Sequence, residues 1–188
     1  MSRRIQIYGL SIVLCFSASS FCARAAQGNV IPVKAADLSG TRLLLKDAKC
    51  SLDLPGQGWK WMTVDDSPHT FFCINAASGT QFLVAIGALH MEFTDHQPQS
   101  LIANAKAAII KRGGKLTNDK YEWIDVPGSK KTIRATFEET EASGVRTLVV
   151  IYIANTADKV TLKLQYTGSA NSEPEELKKL VKSIQALK

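Results

Sequence analysis

Cys50-Ser-Leu-Asp-Leu-Pro-Gly-Gln-Gly-Trp-Lys-Trp61 is the stretch from which the fold is read. Cys50, Leu52 and Leu54 alternate as in a short strand, Pro55-Gly56 breaks it, and Gly58 turns the chain again. The two tryptophans, Trp59 and Trp61, then fall on one side of a second extended piece. A strand, a corner and an aromatic anchor within twelve residues belong to a small α+β domain and carry no chemistry of their own.

Downstream, TFFCINA (Thr70–Ala76) reads as a strand, and TQFLVAIGAL (Thr80–Leu89) as one apolar on both parities, hence central in a sheet covered on two sides. The period then changes. Leu101, Ile102, Ala105, Ala108 and Ile109 form one helical stripe between Pro98 and Arg112, with Gly113-Gly114 as the stop. Four extended segments follow, at Lys120–Val126, Thr132–Thr140, Val145–Asn155 and Lys159–Gly168, and the last three read as an antiparallel meander. The chain closes with a helix expected to start at a capping box of Ser172 and Glu175, to pair Glu175 with Lys179, and to bury Leu177, Leu180, Val181, Ile184 and Leu187. These elements predict an α/β/α three-layer sandwich: a mainly antiparallel sheet of about six to seven strands flanked by a central helix and a C-terminal helix.

Residues 1–25 differ in kind. Arg3 and Arg4 precede an apolar, uncharged run, and Ala23-Arg24-Ala25 supplies the small residues of a cleavage site, so a secretory signal cut after Ala25 is expected. A retained membrane anchor is the competing reading. Neither Cys15 nor Cys22 follows a small residue as a lipidation site would require. Residues 26–45 read as a flexible mature N-terminus and 46–188 as one domain, large enough for a real core. The leader holds three of the 23 basic residues and none of the 17 acidic ones, leaving a mature charge of +3, too small to imply nucleic acid or a membrane surface. The expected place is the periplasm or the medium, without stable membrane insertion after cleavage.

Two thiols remain, Cys50 and Cys73. An oxidising compartment favours one disulfide between them, worth about 3 kcal/mol by loop closure; two separate buried thiols are the alternative. His90, Glu92, Asp95 and His96 (HMEFTDH) contain the best metal set, His90, Glu92 and His96, against the plainer reading of a polar strand end. Trp59 and Trp61 are candidates for recognition or for packing. Glu138, Glu139 and Glu141 gather at a hairpin tip. Lys111, Arg112 and Lys115, or Lys130, Lys131 and Arg134, are basic but interspersed with acids. No G-x-S-x-G, P-loop, dinucleotide or H-E-x-x-H motif occurs.

Leu54-Pro55 followed by Gly58-Trp59, the helix, the meander and a terminal helix ending in Ser183-Ile184 make the chain resemble the PsbP-like superfamily over roughly Cys50 to Leu187. That superfamily groups the photosystem subunit PsbP, Mog-type Ran-binding factors and DcrB-like exported bacterial proteins. The resemblance implies binding or assembly rather than turnover. No cofactor is expected. The expected function is an exported, non-catalytic binding or assembly protein whose partner is another exported or envelope protein. A periplasmic metal-binding protein using His90, Glu92 and His96 is the alternative, and a hydrolase with a dispersed site comes third.

Overall fold

A computed structural model describes residues 30–65, 67–88, 97–111, 113–140, 144–157, 160–169 and 172–187. In chain order the strands are β1 (Val30–Pro32), β2 (Leu38–Ser39), β3 (Arg42–Leu45), β4 (Cys50–Leu52), β5 (Trp59–Val64), β6 (Ser67–Asn75) and β7 (Thr80–Ala88). Helix α1 (Gln97–Lys111) leads into β8 (Lys115–Ile124), β9 (Lys131–Thr140), β10 (Arg146–Ala157) and β11 (Val160–Gly168). Helix α2 (Glu175–Lys182) and β12 (Gln185–Ala186) close the chain.

The periods place the long strands. β10 is apolar on both parities and is buried on both faces from Thr147 to Tyr152, so it lies inside the sheet between β9 and β11. β7, the other doubly apolar run, lies between β6 and β11. The whole order is β1-β5-β6-β7-β11-β10-β9-β8, antiparallel throughout. Helix α1 carries the chain from the middle of the sheet to its far edge. From there β8, β9, β10 and β11 meander back to meet β7.

The expected three-layer sandwich with a central helix does not form. A second antiparallel sheet, β12-β4-β3-β2, occupies much of the layer that a helix was expected to supply. Its strands are two to four residues long, too short for period to reveal them. Residues 30–45, expected as a flexible terminus, supply β1, β2 and β3, while β12 arrives from the other end of the chain. Helix α1 packs against β8 and β9 at the sheet's edge. Its apolar stripe lies outside the described side chains.

The main core fills the space between the two sheets and α2. Leu43, Leu45 and Leu52 of the small sheet meet Trp59, Phe82 and Leu164 of the large one, and Leu177, Leu180 and Ile184 close the side. Each buried leucine contributes about 1.5–3 kcal/mol. A smaller cluster of Ala135, Phe137, Val149 and Ile151 lies on the opposite face.

The last helix is shorter than read. Pro174, not Ser172, is the N-cap, with no side-chain hydrogen bond, and Glu175 pairs with Lys178 at 2.5 Å rather than with Lys179. The helix ends at Lys182 because Gln185–Ala186 pairs with Cys50–Ser51. Gly128 makes that approach possible: it stands at φ +72°, and a Cβ there would lie 2.9 Å from the backbone of Ile184, Gln185 and Ala186. No helix among the described residues is long and apolar enough to cross a membrane.

Candidate functional site

The metal candidates His90, Glu92 and His96, with Asp95, lie outside the described residues. Among the described residues no group of three or more His, Cys, Asp and Glu side chains converges. Trp59 and Trp61 are core, at 8% and 5% exposure, so neither offers a recognition surface. Alternation explains both: each points off β5 into the space between the sheets. Trp59 stacks on Phe82 with centroids 4.8 Å apart, and the Trp61 indole N–H donates to the Thr41 carbonyl at 3.0 Å. Trp61 thus ties the large sheet to the turn between β2 and β3 of the small one.

Cys50 on β4 and Cys73 on β6 are free, buried thiols. Burial pushes Cys50 up to about 11 and raises Cys73 as well. Both are therefore inert nucleophiles at neutral pH. At the hairpin tip, Glu138 faces Arg146 at 3.4 Å, Glu139 is buried, and Glu141 lies outside the described residues. Of the basic candidates, Lys131 sits 3.9 Å over the Trp123 ring.

Two sites emerge that sequence reading did not assemble. The first is a cleft of about 470 Å³ where the two sheets part. Val33, Leu45, Val64 and Phe71 make its floor, and Lys34, Asp37, Lys46, Asp47 and Asp65 its rim. Backbone bonds hold that rim: Asp37 N–H donates to Lys34 at 3.0 Å and Lys49 N–H to Lys46 at 3.1 Å, while Val33 N–H reaches Trp61 at 3.4 Å. Lys49 takes the left-handed conformation, φ 48°, to close the β3–β4 turn. His69, exposed on β6, lies 3.6 Å from Asp47. An apolar floor under charges of both signs can hold an apolar group by burial and orient it by charge. Among the described residues the cleft brings no nucleophile against a base.

The second is an ionic cluster where β9 and β10 meet the lead-in to α2. Arg134 donates to Glu173 through Nη2 at 2.7 Å and Nε at 3.2 Å, and to Glu122 through Nη1 at 2.7 Å. Tyr152 donates to the other Glu173 oxygen. The Glu173 side chain is only 5% exposed. Burial opposes the Arg134 charge, but the Glu173 hydrogen bond and field raise its pKa overall; burial, then Glu173, raises that of Tyr152. With its groups spent on one another, the cluster fastens α2 to the sheet. Tyr152 inside an apolar run and Arg134 in an alternating strand were its only sequence signals. Nothing local showed that Glu173 would meet them.

Neither known protein families nor curated proteins give a match to this chain. The fold is PsbP-like. Among solved structures the chain is similar to the solution structure of cyanobacterial PsbP (CyanoP) from Synechocystis sp. PCC 6803, with a TM-score of 0.52, 13% identity, and coverage of 82% of this chain and 95% of that one. At that identity the likeness is one of fold.

Proposed function

We propose that this protein is an exported, non-catalytic binding or assembly protein that acts in a bacterial periplasm or outside the cell on another exported or envelope protein. The cleft between β1, the β3–β4 turn and the β5–β6 hairpin is the surface it uses. The observation that carries the reading is the pairing of an apolar floor with a mixed-charge rim in one cleft. The PsbP-like fold, shared with cyanobacterial PsbP, supports it in general terms.

The test is capture from envelope extract with the wild-type protein and with a Lys34→Glu, Lys46→Glu double variant, whose exposed rim charges can be reversed without disturbing the core. One reproducibly enriched protein, lost with the variant, is expected. No enrichment, together with turnover in an esterase and phosphatase panel, overturns the proposal. Export is checked separately by fractionation: a product lacking the first 25 residues should leave the cytoplasm.

A further inference from the structure

The large sheet ends differently on its two sides. β1 is three residues long, whereas β8 is ten. Among the described residues β8 pairs only with β9, so alternate backbone N–H and C=O groups along its outer side face away from the sheet. A register shift between Leu116 and Asn118 disturbs the first part of β8 as a template. From Asn118 to Ile124 the register against β9 is regular, and that stretch is centred on Tyr121. Lys120, Tyr121 and Glu122 are all exposed, Tyr121 at 42%.

We propose that β8 pairs antiparallel with β8 of a second copy of this chain about a two-fold axis at Tyr121, joining two eight-stranded sheets into one. The centre of the segment is complementary to itself in this register. Lys120 of each chain stands opposite Glu122 of the other, giving two cross-strand ion pairs, and the two Tyr121 rings meet at the axis. Paired residues share parity, so equivalent faces of both sheets stay on the same side.

Glu122 can serve both chains. Among the described residues only its Oε1 is engaged, by Arg134, and the side chain is about half exposed. A lone edge lysine opposes strand addition, but Lys120 here is answered by the copy's glutamate. The competing register, Lys120 opposite Asp119, would bring Thr117 opposite Glu122 and run into the irregular part of β8. It would also turn one sheet over. The proposed contact lies on the edge opposite the cleft, which it leaves open.

Sedimentation equilibrium over a concentration series tests this with the wild type, Lys120→Glu, Glu122→Lys and the double variant. The wild type should show a monomer–dimer equilibrium. Each single variant sets like charges opposite one another twice and should weaken association roughly tenfold or more. An equimolar mixture of the two single variants should form a heterodimer, and the double variant should self-associate as the wild type does. Circular dichroism verifies that all remain folded, and Tyr121→Pro, which bars edge pairing, should be monomeric. A wild type that stays monomeric throughout overturns the proposal. So do single variants that dimerise as well as the wild type, or a mixture that fails to recover the dimer.

Discussion

Replacing Lys163 by methionine should stabilise the protein at neutral pH, by an amount that disappears in alkali. Lys163 sits on β11 opposite Ala85 of β7 and Ile153 of β10, and no acid among the described residues compensates it. Burial alone pulls its pKa from 10.5 down to about 8. Between those two values the folded protein binds fewer protons than the unfolded chain, so this group makes stability rise with pH across that window. At pH 7 both states carry the charge, and the folded state bears the full cost of its desolvation. At about 1.36 kcal/mol per pH unit the gap corresponds to roughly 3 kcal/mol, reduced to about 2 kcal/mol by the water the partly exposed side chain keeps. Urea unfolding of wild type and Lys163→Met at pH 7 and again above pH 10.5 measures it. A variant no more stable at pH 7, or a difference that does not change with pH, would refute the reasoning.

Gly128→Ala should cost about 2 kcal/mol or more, seen as a lowered Tm, because the left-handed φ and the close β12 backbone each resist a Cβ; an unchanged Tm would mean β12 does not press there. Cys50 and Cys73 should resist a thiol reagent at pH 8 in the folded protein and both react on denaturation, since burial leaves little thiolate. Fast native labelling of either, or a mass two protons short from a disulfide, would count against this. Glu173→Gln removes the carboxylate shared by Arg134 and Tyr152 and should destabilise by about 2 kcal/mol, moderated by the partial exposure of Arg134; urea midpoints equal to wild type would show the cluster to be idle.

The long strands and the helix at Gln97–Lys111 were legible because a run of nine or more residues repeats its period often enough to show which face is buried. β8 was read five residues late, from Lys120. Its KLTND opening is polar, and an edge strand needs no apolar alternation to pair. Leu54-Pro55 and Gly58-Trp59 pointed to a PsbP-like domain, and the likeness of fold agrees, while both tryptophans are buried in the core. The cleft stayed hidden because its lining comes from β1, β3, β5, β6 and the turns between them. Each contributes only one to three residues, none unusual in its own stretch.

What the sequence by itself determined is the set of long elements, the buried faces of the long strands and the order of the meander, all of which follow from local periodicity and turn chemistry. Only the tertiary structure decided that Leu38–Leu45, Cys50–Leu52 and Gln185–Ala186 form a second sheet in place of a helical layer, that Cys50 and Cys73 stay apart as thiols, and that Glu173 closes on Arg134. Those outcomes depend on which segments become neighbours. Strand hydrogen bonds and ion pairs between distant residues leave no period in the chain, because their partners are chosen by the shape of the assembled core.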